Sequence, residues 1–158
     1  MLCVTCCEST MPNPPLRVLF LCTGNAARSQ MAEALLRHLS KGRTEVFSAG
    51  NAPKPALHPV AKSTLEEKFG IDTTGLRPKS MDDFLRQQFD YVITVCDNAA
   101  EACPVFPGRA TRIHWSFEDP AGVHDADAQR QAFETVAHEL AARLRIWMAL
   151  PEVSARLQ

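Results

Sequence analysis

The strongest clue to the fold is a nearly uninterrupted apolar run, LRVLFL at residues 16–21. A half-exposed strand would alternate apolar and polar residues, and this run does not, so it predicts a strand buried on both faces. A second run of this kind, DYVITV at residues 90–95, predicts another buried strand. Such strands are typical of parallel sheets, because helices cover both faces of the sheet.

Helical patterns alternate with the strands along the chain. Shorter strands are predicted over residues 45–48 and 109–114. Met31, Leu35 and Leu39 are each four residues apart, which is the spacing of one face of a helix. Helices are predicted over residues 27–38, 61–69, 81–89 and 133–147. This alternation predicts a three-layer α/β fold, in which helices pack on both faces of a four-stranded parallel sheet.

The length of the chain and its two ends indicate the domain organisation. A chain of 158 residues is long enough for one ordinary domain, which we assign to residues 16–150. Residues 1–15 combine three prolines with three cysteines and are predicted to form a flexible tail. Residues 151–158 are expected to form a C-terminal tail.

Charge and hydropathy exclude several classes of partner. The net charge is −1 and no basic block stands out, so we expect neither a nucleic acid nor a membrane as partner. No apolar run approaches the roughly 20 residues of a membrane span, and the N-terminus lacks the pattern of a secretory signal. We therefore expect a cytoplasmic protein, in which six cysteines indicate reactive or metal-binding thiols before structural disulfides. We also expect a monomer.

The first buried strand leads into a loop, CTGNAARS at residues 22–29, which is followed by a helix. Ligands of open parallel sheets bind beyond the carboxyl ends of the strands, and a loop entering a helix directs several backbone N–H groups at one point. Cys22 lies in this positive field, which favours a thiolate, and Ser29 can donate a hydrogen bond to it. Arg28 adds a planar charged fork suited to a tetrahedral oxyanion. We therefore predict that Cys22 is a nucleophile inside an oxyanion site formed by Thr23, Gly24, Asn25, Ala26, Ala27, Arg28 and Ser29.

Two further cysteines follow the second buried strand. Cys96 comes directly after it, at the same predicted sheet edge as Cys22, and Cys103 is seven residues further on. Capping and stop residues predict a helix over residues 97–103. Seven residues of helix would separate the two Cα atoms by about 10 Å, whereas a disulfide needs roughly 7 Å or less. A disulfide between Cys96 and Cys103 would therefore require this helix to unwind.

Together these features resemble the low-molecular-weight protein tyrosine phosphatase fold family, and within it the thioredoxin-coupled arsenate reductases. The resemblance covers about residues 16–150. It rests on CTGNAARSQMAE at 22–33, SAG at 48–50, the Cys96/Cys103 pair and DPAG at 119–122. It implies that arsenate is the substrate, that no cofactor is tightly bound and that thioredoxin is the external reductant.

The resemblance also implies roles for individual residues. Cys22 would attack arsenate, Cys96 and then Cys103 would resolve the adduct, and thioredoxin would regenerate the thiols. Asp119, in a loop predicted at the same sheet edge, matches the general acid of the family and would protonate the leaving oxygen, with Glu118 as the weaker alternative. Some members bind a potassium ion beside the loop, and part of that site is matched by Asn25, Glu33 and Ser48.

Two other functions remain open from the sequence. A low-molecular-weight tyrosine phosphatase would also use Cys22, but it would leave Cys96 and Cys103 without a role. Phosphatases of this fold carry an aromatic residue shortly after the Asp-Pro pair, where this chain has Ala121 and Gly122. A non-enzymatic sensor of thiol redox state or arsenicals would leave the acid loop unexplained.

Two further points stay open as well. The reductant could be a mycothiol or glutaredoxin system, although two spare thiols favour an internal disulfide relay. The N-terminal cysteines, Cys3, Cys6 and Cys7, lie outside the resemblance and belong either to a mobile tail or to a site for arsenite or a soft metal.

Overall fold

The computed structural model describes residues 13–97 and 104–158 of the chain. The strands are β1 (Leu16–Cys22), β2 (Thr44–Gly50), β3 (Tyr91–Thr94) and β4 (Thr111–His114). The α-helices are α1 (Arg28–Leu39), α2 (Pro59–Phe69), α3 (Ala126–Met148) and α4 (Pro151–Ser154). Two short 3₁₀ turns span Met81–Phe84 and Pro120–Gly122.

The four strands form one parallel sheet in the order β2-β1-β3-β4, and this confirms the predicted sheet. Leu21 of β1 lies opposite Ala49 of β2 and Thr94 of β3. Because all strands run in the same direction, their carboxyl ends lie at one edge of the sheet. Cys22 ends β1 and Gly50 ends β2 at this edge, where open parallel sheets bind their ligands.

The two faces of the sheet are covered differently. Alternate residues of β1 pack with all four α-helices in the larger core cluster. Leu19 and Leu21 belong to the second cluster, on the opposite face. In the described part of the chain this second layer consists of the 3₁₀ turn Met81–Phe84 and the loop residues Phe89 and Phe106. The four-stranded parallel α/β fold is therefore as predicted, whereas in the described residues the second face of the sheet is covered by a 3₁₀ turn and loop residues and not by an α-helix.

The start of α1 differs from the starts of α2 and α3. The His58 side chain accepts a hydrogen bond from the Val60 N–H at the start of α2, and Asp125 caps α3 in the same way. Helix α1 begins at Arg28 with no side-chain cap and no acidic residue in its first turn. The N–H groups and the positive end of the dipole of α1 therefore face the preceding loop.

Some sequence-based expectations need correction. The helix expected over residues 81–89 is reduced to the 3₁₀ turn Met81–Phe84. Residues 151–158 are not a tail, since Val153 and Leu157 are buried in the main core. The cysteine-containing part of the N-terminal tail and all but the first residue of the predicted helix at 97–103 lie outside the described residues. Among the described residues, no helix combines the length and the apolar character needed to span a bilayer.

Candidate active site

Backbone hydrogen bonds set the direction of the peptide groups in the loop between β1 and α1. The carbonyl oxygens of Thr23, Gly24 and Ala26 accept from N–H groups of the segment that follows β2, at 2.9 to 3.0 Å. In a trans peptide the N–H lies opposite the C=O, so the N–H groups that follow these carbonyls point away from that segment. Accordingly, the Asn25 N–H lies 3.3 Å from Cys22 Sγ. The loop thus turns these N–H groups to one side and forms a cradle, in which the Asn25 N–H approaches the thiol.

One close approach around this loop requires glycine, and a second is tight without requiring it. A Cβ atom at Gly50 would overlap the carbonyl oxygen of Thr23, so only glycine lets the loop lie against the end of β2. A Cβ atom at Gly24 would come within 3.2 Å of the Lys54 side chain, whose stem crosses the loop. The left-handed backbone is at Asn25, with φ of 48°, because asparagine tolerates this conformation better than most residues.

Hydrogen bonds around Cys22 orient the hydroxyl of Ser29. Cys22 Sγ and Ser29 Oγ are 2.7 Å apart, and both side chains are buried. The amide nitrogen of Asn25 donates to the same hydroxyl oxygen at 2.7 Å. Asn25 Oδ1 accepts from the backbone N–H of Lys79 at 2.8 Å, which establishes the orientation of the amide. Ser29 Oγ accepts from Asn25, so its own proton is available for a hydrogen bond to the sulfur of Cys22.

Arg28 and Asp119 meet at the mouth of the loop. Arg28 is only 4% exposed, and its Nη1 donates to the carbonyl oxygen of Phe117 at 3.1 Å. Its Nη2 lies 3.8 Å from Oδ2 of Asp119, whose side chain is 47% exposed. The other oxygen of Asp119 accepts from the Ala121 N–H and caps the 3₁₀ turn. A guanidinium held by the backbone beside a half-exposed carboxyl group suits anion binding next to a proton donor.

A cavity of about 290 Å³ opens above the loop. Besides loop residues, its lining includes Asp119, Ala121, Lys54 and His58. Ala121, directly after the Asp-Pro pair, contributes a methyl group to the pocket wall. Lys54 and His58 were not predicted from the sequence, where the only available signal was a histidine directly before the proline that begins α2.

His58 has a neutral ring at pH 7. Its Nδ1 accepts a hydrogen bond from the Val60 N–H at 3.1 Å, and its ring lies 4.7 Å from the ring of Phe133. Partial burial and the nearby Lys54 ammonium lower the pKa of His58 below its usual value, and the carboxylate of Asp119 opposes this shift. The pocket therefore gains a further positive charge only when the solution becomes acidic.

Acidification is expected to destabilise the protein through His58. Its folded-state pKa lies below the usual 6.5, so the unfolded chain takes up the proton first and stability falls as the pH drops below that value. Protonation also removes the acceptor that caps α2, and we expect a loss of less than about 1 kcal/mol. Urea unfolding at neutral and mildly acidic pH should show a weaker pH dependence for His58→Asn, which keeps a capping side chain. If the free energy of unfolding depends on pH equally in the wild type and in His58→Asn, the prediction is wrong.

Cys96 lies beside Cys22 in the main core. The Val95 N–H donates to the carbonyl oxygen of Leu21 at 2.9 Å, which continues the pairing of β1 and β3 by one residue. Cys96 Sγ is 3.9 Å from the same oxygen, and both cysteines are buried in one cluster. Cys22 ends β1, and Cys96 follows the neighbouring strand β3 by two residues, so the two thiols lie at the same edge of the sheet. Cys103 lies outside the described residues.

Two residues that the sequence analysis missed, Gln30 and Lys79, hold Asn25 in place. The buried amide of Gln30 donates to the backbone oxygen of Asn25 at 3.1 Å and to the carbonyl oxygen of Arg77 at 2.5 Å. The backbone N–H of Lys79 donates to the Asn25 side chain, and the Lys79 carbonyl oxygen accepts from the Gly50 N–H. Segment 77–79 therefore joins the loop to the end of β2.

The residues expected to bind potassium do not fit a resident ion. The buried carboxylate of Glu33 already lies 3.8 Å from Lys79 Nζ and 3.6 Å from the Arg37 guanidinium. The Asn25 side-chain oxygen accepts from the Lys79 N–H, and of the expected ligands Ser48 has a hydroxyl without a hydrogen-bond partner in the described chain. Among all the residues that the structure describes, no group of three or more His, Cys, Asp or Glu side chains could hold a metal ion. The potassium expectation is therefore not supported.

Comparisons with known proteins agree with this geometry. The family model described as low molecular weight phosphotyrosine protein phosphatase matches residues 17–158. An arsenate reductase of Halalkalibacterium halodurans is 36% identical over 129 residues, which are 81% of this chain and 91% of that protein. A thioredoxin-dependent arsenate reductase structure from Corynebacterium glutamicum is 32% identical with a TM-score of 0.67, covering 93% of this chain and 67% of that one.

One further structure belongs to the other branch of the family. A low molecular weight protein tyrosine phosphatase from T. tengcongensis is 25% identical with a TM-score of 0.67, over 84% of this chain and 97% of that one. The fold is thus shared with phosphatases, whereas the curated relatives at 33 to 37% identity are arsenate reductases. This chain belongs to the low molecular weight phosphotyrosine protein phosphatase family, and within it to the arsenate reductases.

Proposed function

We propose that this protein reduces arsenate to arsenite through a relay of three cysteines, Cys22, Cys96 and Cys103, and that thioredoxin returns the oxidised pair to thiols. The observation that carries the proposal is the burial of Cys96 beside Cys22 at the edge of the sheet that bears the oxyanion cradle. A phosphatase would need Cys22 alone. The relatives named arsenate reductase, one of them thioredoxin-dependent, support the same substrate and reductant.

The first step forms a bond between sulfur and arsenic. The loop N–H groups and Arg28 bind arsenate, and the Cys22 thiolate, stabilised by Ser29, attacks the arsenic atom. One oxygen of arsenate leaves, and Asp119 supplies the proton that makes it depart as water. Arsenic is still pentavalent after this step, and Cys22 carries it as a covalent adduct.

The second step transfers two electrons. The Cys96 thiolate attacks Sγ of Cys22, a disulfide forms between these sulfurs, and the electron pair of the broken S–As bond goes to arsenic. Arsenic thereby becomes trivalent and leaves as arsenite. Cys103 then attacks Cys96, which frees the Cys22 thiolate and leaves a Cys96–Cys103 disulfide for thioredoxin to reduce.

The wall of the pocket favours arsenate over a phosphotyrosine side chain. Ala121 occupies the place after the Asp-Pro pair and contributes only a methyl group to the lining. An aryl ring gains much of its binding free energy from contact with apolar or aromatic surface. The small inorganic anion needs only the cradle and Arg28.

The relay is tested by Cys103→Ser in a background where Cys3, Cys6 and Cys7 are serine, so that the background keeps three thiols and the variant keeps two. We expect the first turnover to be normal, because the reduction of arsenic needs Cys22 and Cys96 only. Repeated turnover with thioredoxin, thioredoxin reductase and NADPH should fall at least about tenfold, because the Cys22–Cys96 disulfide cannot be passed outward.

The matched control is the same background with Cys103 retained. There, thiol titration should show that two thiols disappear for each arsenite formed in the absence of reductant. Undiminished repeated turnover by Cys103→Ser would rule out the relay. Absence of arsenite from the control, with hydrolysis of aryl phosphates intact, would favour the phosphatase instead.

A further inference from the structure

The oxyanion loop is connected to a buried ion pair that the chemistry above does not use. Glu33 of α1 has a side chain that is 6% exposed, and burial raises its pKa while the ammonium of Lys79 and the Arg37 guanidinium oppose that shift. A buried carboxylate needs a compensating cation, because removing its charge from water is costly. The Lys79 side chain is 18% exposed and that of Arg37 is 49% exposed. Water therefore screens the ion pair of Glu33 with Lys79 less than the ion pair of Glu33 with Arg37.

Lys79 also contacts the loop through its backbone. Its N–H donates to Asn25 Oδ1 at 2.8 Å, and its carbonyl oxygen accepts from the Gly50 N–H at 2.9 Å. Its Nζ donates to the carbonyl oxygen of Arg77 at 2.9 Å, which keeps the ammonium over Glu33. The charge and the backbone of one residue thus tie α1, the end of β2 and the loop together.

The connection continues to the sulfur atom. The Asn25 amide, oriented by Lys79, donates to Ser29 Oγ, and Ser29 in turn lies 2.7 Å from Cys22 Sγ. Asn25 has a positive φ, a conformation that needs outside contacts to persist. A shift of the Lys79 segment would therefore release the amide first and the hydrogen bond to the thiol next.

We propose that the Lys79 ammonium takes the place of a bound monovalent cation at Glu33, and that this built-in charge positions Asn25, Ser29 and Cys22 so that the enzyme needs no potassium. Lys79 is a positioning residue in this scheme, because it acts through Asn25. The inference goes beyond the proposed relay, and it holds whichever thiols complete the reduction.

Removing the ammonium should create a site for a cation. In Lys79→Met the Glu33 carboxylate loses its less exposed counter-ion, while the backbone N–H at position 79 remains. The Ser48 hydroxyl is an additional oxygen ligand nearby, since the Ser48 backbone N–H already donates to Glu33. Potassium should therefore rescue Lys79→Met, which it could not do if lysine served only as packing.

The experiment compares the full-length protein in potassium chloride with the protein in tetramethylammonium chloride, a cation too large to enter. We measure single-turnover arsenite formation, the alkylation rate of Cys22 by iodoacetate, and the melting temperature. The wild type should give the same values in both salts. In tetramethylammonium, Lys79→Met should lose roughly tenfold in both rates, and potassium should restore most of this loss and raise the melting temperature by about 3 °C.

The matched control is Lys62→Met, which removes a lysine from an exposed ion pair with Glu66 and should leave all readouts at wild-type values. Glu33→Gln/Lys79→Met removes both charges and should not respond to potassium. A wild type that is activated several-fold by potassium would overturn the proposal, and this comparison needs no variant to fold. The proposal would also be overturned if Lys79→Met kept wild-type rates in tetramethylammonium, or if potassium did not restore the rates that it had lost. Failure of arsenate reduction alone would count against the relay, because alkylation and melting do not require it.

Discussion

Cys96→Ser is expected to abolish arsenate reduction while leaving oxyanion binding intact. The pocket lining includes Cys22, Arg28 and the loop residues between them, so anion binding does not depend on Cys96. Attack on Cys22 Sγ requires a thiolate at position 96, and a serine hydroxyl is neither as acidic nor able to form a disulfide. We expect arsenite formation to fall at least about 10³-fold. Arsenite production in a single turnover, measured with excess enzyme, checks the prediction.

The same variant separates the two enzymatic activities of the family. Hydrolysis of a small aryl phosphate needs Cys22 as nucleophile but no second thiol, so any such side activity should survive in Cys96→Ser. Cys22→Ser is the matched comparison, because it should lose both reactions. Because position 96 is completely buried, the new hydroxyl costs about 1–3 kcal/mol of stability if it finds no partner, and the melting temperature must be measured in parallel. Wild-type arsenite formation by folded Cys96→Ser would refute the relay.

Arg28→Lys is expected to lower kcat/KM for arsenate by about 10² to 10³-fold, although the charge is conserved. The guanidinium uses one nitrogen to donate to Phe117 and another to approach Asp119. This arrangement holds it across the mouth of the loop. A lysine ammonium is a single point of charge and cannot keep both contacts while it also binds an oxygen of the substrate. Steady-state kinetics with arsenate, and competition by phosphate, give the measurement.

The control for Arg28→Lys is Arg130→Lys, which alters an exposed arginine paired with Asp127 on the surface of α3. It should leave kcat/KM within about twofold of wild type, because exposed ion pairs contribute little. Phosphate should inhibit Arg28→Lys much more weakly than either the control or the wild type. A loss of less than about fivefold, with unchanged phosphate inhibition, would mean that the loop N–H groups bind the oxyanion without the guanidinium fork.

Local patterns were sufficient to predict the fold and to place the loop residues of the candidate site at the end of β1. The apolar runs that form β1 and β3 are buried on both faces. A strand buried in this way has apolar residues at nearly every position, so the sequence alone reveals it. The loop at 22–29 is continuous in sequence, so its thiol, its arginine and its serine could be assigned roles together. Cys96 could be placed at the same edge because parallel strands share a direction.

Two wrong or unsupported predictions concern the C-terminal segment and the potassium site, and both depend on contacts between distant parts of the chain. The C-terminal segment 151–158 is predicted from the sequence to be a tail, yet Val153 and Leu157 are buried in the main core. The potassium site was expected from Asn25, Glu33 and Ser48 alone. It lost support when the fold brought Lys79 to the Glu33 carboxylate, which Arg37 of the same helix also approaches. In each case the deciding contact joins residues far apart in the chain.

What the amino-acid order dictated was the set of strands, their common direction and the chemistry of one continuous loop, because these follow from short-range periodicity and from the residues at strand ends. The three-dimensional packing decided which distant side chains surround that loop. Lys54 crosses Gly24, His58 lines the pocket, and Lys79 lies 54 positions from the Asn25 oxygen that it binds. Contacts of this kind depend on where two remote segments of the chain pack together, and the spacing of residues within one segment does not predict this.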